Sequence, residues 1–204
     1  VRADLPDLGE ISDASLSLSD ESRIGRDALR AMREAGHVLD DAEISAYLND
    51  IGGKLSSSVT LPGIHFTYFC VADTGINAFA MPGGYIGVNI GLILATQSEG
   101  ELAAVMGHET AHVAQRHIAR MQAANSATSP LLLLGTIIAA ALAAKAGSGD
   151  GAMGAVSAGM GLSISRQLAF SRDFEREADR VGMQFMSNAG YDVRYMATFF
   201  QRLE

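Results

Sequence analysis

The five residues His108-Glu109-Thr110-Ala111-His112 tie one helix face to one chemistry. Residues four apart on a helix share a face. In a helix, His108 and His112 therefore aim two imidazoles at one point, close enough to hold one zinc ion. Glu109 follows His108 directly and reaches a water at that point. Two nitrogen ligands with a carboxylate base beside them form the layout that hydrolyses a peptide bond with zinc. The competing reading is a surface helix with two satisfied histidines and a solvated glutamate.

The context favours a helix. Ser98 and Glu101 form an S-x-x-E capping box that starts it. Leu102, Val105, Met106, Val113 and Ile118 supply an apolar set that half buries it. A buried helix presenting His, Glu and His inward needs a partner for them, and a metal provides one.

A catalytic zinc usually takes three protein ligands and leaves one position open. One known pattern would place Gly at position 115 and a third His at 118. The chain has Gln115 and Ile118 there, which excludes it. His117 follows His108 by half a helical rotation and reads as a surface histidine on the opposite face. The better candidate is the later segment Ser171-Arg-Asp-Phe-Glu-Arg-Glu-Ala-Asp-Arg-Val-Gly182, which Ser171 caps and Gly190 ends. Glu175 and Asp179 share a face there. That spacing suits a carboxylate ligand at Glu175, with Asp179 accepting the ring N–H of a ligand histidine and fixing its tautomer. Glu177 points elsewhere and pairs with an arginine. Taken alone, this segment also reads as an ordinary charged helix face.

H-E-x-x-H followed by E-x-x-x-D is the gluzincin arrangement. With Asn77-Ala-Phe-Ala-Met-Pro-Gly-Gly-Tyr-Ile-Gly-Val88 upstream and the Ser171–Gly182 segment downstream, the chain resembles the M48 metallopeptidases, and among them a bacterial periplasmic branch. The similarity runs from Asp4-Leu-Pro-Asp-Leu-Gly9 through Gln115-Arg116-His117 to Ala189-Gly190-Tyr191-Asp192. The resemblance implies one Zn2+ per chain at His108, His112 and Glu175. It implies Glu109 as general base and Asp179 behind His108. It also implies that an edge strand resembling Asn77-Ala78-Phe79-Ala80 binds substrate by β-augmentation, which accepts an extended peptide with little regard for its sequence. A plain structural hairpin is the other reading of that stretch. Members of this branch continue into a C-terminal helical-repeat module, whereas this sequence stops at Glu204, so the module is expected to be absent or removed. The oxyanion-stabilising residue is left unassigned.

The 204 residues suit a single domain with a real core. The formal charge of −8 and the lack of a basic patch argue against nucleic acid. Cys70 stands alone, cannot close an internal disulfide, and reads as a buried thiol. His37 and His65 carry no partner pattern. The start at Val1-Arg2-Ala3, without an initiator Met, suits a processed or trimmed chain. Periplasmic localisation therefore rests on the resemblance.

Along the chain, residues 1–20 read as an extended arm. Residues 20–36 and 41–57 read as amphipathic helices, broken near Gly36 and at Gly52-Gly53. Ile64–Val71 reads as a strand, and Asn77–Met81 and Tyr85–Asn89 as a hairpin around Pro82-Gly83-Gly84. A short apolar helix follows near Gly91–Thr96. The expected class is α+β: a mainly helical zincin-type metallopeptidase domain over 1–204 with a small antiparallel sheet and the H-E-x-x-H helix at its active site. Residues 130–162 are expected to form an apolar, glycine-rich loop or flap. Within them Leu131–Ala144 carries no charge and is shorter than the roughly twenty residues a spanning helix needs. It reads either as a buried core helix or as a flap touching membrane or unfolded substrate; the mean hydropathy of +0.16 suits an exposed apolar patch.

The functional expectation is a zinc endopeptidase acting on unfolded or misassembled envelope proteins, with the outer-membrane assembly machinery as a possible partner. The alternative is a chaperone-like assembly factor with a structural or latent zinc. Glu109 separates the two, because a structural zinc needs no base beside it.

Overall fold

The computed structural model describes residues 16–124, 132, 135 and 169–203. Most of the arm expected over 1–20, all of Leu131–Ala144 except Leu132 and Gly135, and Gly147–Leu162 lie outside those residues.

Helix α1 spans Leu18–Glu34. The Ser17 hydroxyl caps it by accepting from the Asp20 amide, and Leu16 is already buried. The arm therefore ends earlier than expected, because a cap and a core side chain sit at 16 and 17. Helix α2 spans Ala42–Ser56, capped by the Asp41 carboxylate through the amides of Glu43 and Ile44. It runs through Gly52-Gly53 without breaking. Its packing explains the glycine: a Cβ on Gly52 would stand 2.0 Å from the Tyr68 ring.

Strands β1 (Thr67–Val71), β2 (Ala78–Met81) and β3 (Tyr85–Asn89) form a sheet ordered β1-β3-β2. The predicted hairpin is present, with β2 antiparallel to β3 around a single 3-10 turn at Pro82–Gly84 in which Gly83 has φ 83°. The sheet is mixed rather than purely antiparallel, because β3 inserts between β1 and β2 and pairs parallel with β1. Alternation then divides the strands between two apolar clusters. Phe69, Val71, Phe79 and Met81 pack with Ile24, Ala28, Leu29 and Met32 of α1. Tyr68, Cys70, Ala78, Ala80, Ile86 and Val88 face the other helices. Burial on both faces explains why the strands are nearly all apolar.

The short helix α3 (Ile90–Ala95) leads into α4 (Glu99–Ala114), followed by α5 (His117–Ala124), α6 (Arg172–Asn188) and α7 (Arg194–Leu203). Ser98 caps α4 through the Glu101 amide, as the capping box requires. The Glu101 carboxylate reaches back one residue further than expected, to the amide of Gln97 at 2.7 Å. Helix α4 is almost wholly buried rather than half buried. Ile118 is not part of its apolar set: it lies on α5 and joins the α1-side cluster. Small residues, Ala103, Ala104 and Gly107 among them, let neighbouring helices come close to α4. Helix α6 meets it backbone to backbone, where a Cβ on Gly182 would stand 3.0 Å from the His108 backbone nitrogen. Phe185 and Met186 of α6 complete that core; each buried large apolar side chain contributes about 1.5–3 kcal/mol. No described helix is long and apolar enough to cross a membrane.

Candidate metal centre

The α4–α6 crossing brings two sequence-distant motifs face to face. His108 and His112 come from α4 and Glu175 from the first turn of α6, which the Ser171 hydroxyl caps through the Phe174 amide. The Nε2 atoms of His108 and His112 are 3.0 Å apart. Glu175 Oε2 lies 3.1 Å from His108 Nε2, and its Oε1 lies 3.7 Å from His112 Nε2. One ligating atom from each residue falls within 4.8 Å of the others.

Both imidazoles are held from behind. The Asp179 carboxylate sits 2.8 Å from His108 Nδ1, which fixes the ring with Nε2 toward Glu175. Glu177 faces away from the cluster and takes a two-oxygen contact from Arg120, 3.1 Å to each oxygen. Cys70 is buried, as its sequence context suggests.

His117 contradicts its expected place on the surface. It is fully buried, and its Nδ1 lies 2.8 Å from His112 Nδ1. The count of 3.6 residues per turn fails because α4 stops at Ala114 and Arg116 adopts φ 52°. That turn swings His117 back beneath His112. A left-handed non-glycine residue costs about 1–2 kcal/mol. Arg116 offsets the strain with buried bonds to the Glu21 carboxylate at 3.0 Å and the Leu16 carbonyl at 2.7 Å. Nothing local in the sequence marks that turn, since its partners lie about a hundred residues away.

Two aromatic rings stack on these histidines. Phe170 stacks on His112 at 4.1 Å between ring centres, and Phe174 stacks on His117 at 4.5 Å. The Arg120 guanidinium lies 4.6 Å from the Phe174 ring centre. Neither stands out in the sequence, where the signal is their spacing of four, Phe170–Phe174, directly before Glu175. Below α4, Tyr68 and Thr110 share a buried hydroxyl bond of 2.7 Å, which pins the motif helix to β1.

A cleft of about 210 Å³ opens on the cluster. Glu109 lines it together with the two histidines and Glu175, and Asn77, Ala78, Phe79 and Ala80 form one wall. Strand β2 is at the edge of the described sheet, and the Ala80 amide hydrogen-bonds to Glu109. Burial pushes the Glu109 carboxyl above its usual range, against the pull of the neighbouring histidines and that amide.

The charge balance of the cluster fits a cation. Burial works against protonating His108, yet its bonds to Asp179 and Glu175 outweigh this and raise its pKa to about 10. Burial would raise Glu175, but bonds to His108 and His112 hold it well below the usual carboxylate range. Burial, with His112 and Arg120 close by, lowers His117 to about 3 and keeps it neutral. Donors around a tetrahedral zinc stand roughly 3.3 Å apart, given bonds of about 2.0–2.1 Å. The two Nε2 atoms at 3.0 Å, and Glu175 Oε2 at 3.1 Å from His108 Nε2, lie close to that value.

A helical domain with a small sheet, in which two histidines of α4 face a glutamate of α6, has the arrangement of a metallopeptidase domain. Residues 43–203 match the model of peptidase family M48, and the chain belongs to that family. It is 32% identical over 202 residues to the beta-barrel assembly-enhancing protease of Escherichia coli (strain K12), covering 98% of this chain and 40% of that protein. It is 38% identical over 203 residues to a Vibrio cholerae protein given that name provisionally, covering 98% of this chain and 41% of that protein. It is 30% identical over 199 residues to the mitochondrial metalloendopeptidase OMA1 of Arabidopsis thaliana, covering 96% of this chain and 38% of that protein. The chain thus spans about two fifths of the length of these relatives.

Proposed function

We propose that this chain is the peptidase domain of a zinc-dependent endopeptidase, with one zinc per chain held by His108, His112 and Glu175. The carrying observation is that these three donors converge in the same cleft that Glu109 lines, beside the edge of β2. Zinc bound there would supply the Lewis acid that polarises the scissile carbonyl and activates the attacking water. Glu109 takes the water's proton and later delivers it to the leaving amine. Asp179 keeps the His108 lone pair turned toward the cluster. Asn77, Ala78, Phe79 and Ala80 line the cleft and bind an extended peptide along the strand edge, through backbone groups that read little of its sequence.

Such tolerance suits unfolded or misassembled chains. The names and bacterial sources of the relatives favour outer-membrane protein quality control in the periplasm, with the assembly machinery as partner. A chaperone-like factor with a structural or latent zinc is the second reading. The cleft and the base on its wall favour the enzyme, because structural zinc sites are closed by four ligands. Cleavage of an unfolded protein, abolished by Glu109→Gln with the zinc retained, is the test. Zinc binding without cleavage would support the second reading.

A further inference from the structure

We propose that His117 is a positioning residue for the metal-binding histidine His112. Its Nδ1 accepts the Nδ1–H of His112 and holds that ring in the tautomer whose Nε2 lone pair faces His108 and Glu175. The inference rests on the zinc site proposed above and adds a residue to its support.

The geometry fixes the sense of the bond. Two Nδ1 atoms 2.8 Å apart require one donor and one acceptor. If His117 donated, His112 would carry its proton on Nε2, among the ligating atoms, and could not bind a metal there. His117 would then present a bare Nε2 lone pair to Glu177, whose Oε2 is 3.5 Å away. Two electron-rich atoms would face each other in a buried site. If His117 accepts, its own proton lies on Nε2 and points at that carboxylate. The separation is long for a hydrogen bond but well within electrostatic reach. Arg120 locks Glu177 through both oxygens, and the Phe174 ring lies nearly parallel to His117 at 6°. The chain of contacts Arg120–Glu177–His117–His112 therefore orients one ligand, while Asp179 orients the other. The two supports differ in kind. Asp179 is a half-exposed carboxylate, whereas His117 is a fully buried imidazole that orients His112 without placing a second negative charge against the ligands.

The test compares wild type with His117→Phe, which keeps an aromatic ring and deletes the acceptor, and His117→Gln, whose amide oxygen can accept. Zinc affinity is measured by competition with a chromophoric chelator, alongside the melting temperature of the metal-free protein. The expected result for His117→Phe is a loss of affinity of about 10–100-fold without a matching fall in metal-free melting temperature, with partial recovery in His117→Gln. Unchanged affinity in His117→Phe overturns the inference while leaving the zinc site intact; a wild-type protein that binds no zinc overturns both. Long-range 1H–15N spectra of the zinc-loaded wild type give a reading independent of any variant. Protonated His112 Nδ1 and His117 Nε2 support the inference, and a proton on His117 Nδ1 refutes it.

Discussion

The backbone nitrogen of His108 lies 3.0 Å from where a Cβ on Gly182 would stand. This contact sets how close α6 comes to α4, and therefore where Glu175 and Asp179 meet the histidines. Gly182→Ala should push the helices apart against rigid backbone. The expected cost is about 1–3 kcal/mol in denaturant unfolding, with weaker zinc binding. Gly53→Ala, in an exposed part of α2 with nothing near the added atom, should instead stabilise by about 0.5–1 kcal/mol. Equal effects from the two substitutions would remove the crossing from the account.

Glu175 and Asp179 should separate in their effects on metal content. Glu175→Ala deletes a donor and should leave purified protein with little zinc by elemental analysis. Asp179→Ala deletes only the carboxylate behind His108 and should weaken zinc binding about 10–100-fold. Full zinc content in Glu175→Ala would take that residue out of the ligand set.

Arg116 joins the end of the motif helix to the start of the described chain. Arg116→Ala relieves no backbone strain, because φ remains positive, and it takes the guanidinium away from the buried Glu21 carboxylate. A loss of about 3–5 kcal/mol is expected, the range for breaking one side of a buried pair. Zinc affinity should fall with it, since the same turn places His117 under His112. A change below 0.5 kcal/mol would show the Glu21 pair to be dispensable.

The pH response of stability should depend on metal. In metal-free protein His108 has a folded pKa near 10, above the unfolded value of 6.5. The folded state therefore binds more protons than the unfolded state between those values, and stability falls as pH rises through that window. The raised Glu109 carboxyl acts with the same sign from 4.5 upward. Melting temperatures of chelated protein should decline from pH 6.5 to 9, a range that stops where the Cys70 thiol, raised by burial, begins to contribute. At the proposed site zinc would take the place of the His108 proton, and its addition should flatten that decline. A slope unaffected by zinc would contradict the shared site.

Much of this architecture is legible locally. The four-residue spacings of His108 with His112 and of Glu175 with Asp179 survive because each pair lies within one uninterrupted helix. Ser98, Ser171 and the Pro82-Gly83-Gly84 turn mark their boundaries through side-chain caps and glycine backbone freedom. What the sequence hides is set by distant contacts. The parallel β1–β3 pairing arises because a hairpin inserts its second strand beside an earlier one, which no single segment reveals. Helix α2 keeps Gly52 for the Tyr68 ring, so a residue that reads as a breaker serves as a packing notch. A regular helical count misplaces His117, because Arg116 interrupts it with a left-handed turn held by Glu21 and Leu16 at the other end of the described domain.

The most direct test of the central claim is proteolysis of an unfolded protein such as casein by the zinc-loaded chain, with Glu109→Gln in parallel and zinc content measured for both. Cleavage by the wild type, and its loss in a Glu109→Gln protein that still carries one zinc per chain, is the predicted result. Undiminished cleavage by Glu109→Gln would contradict the assignment of the base, and no cleavage by a fully zinc-loaded wild type would contradict the claim that this domain is itself a peptidase.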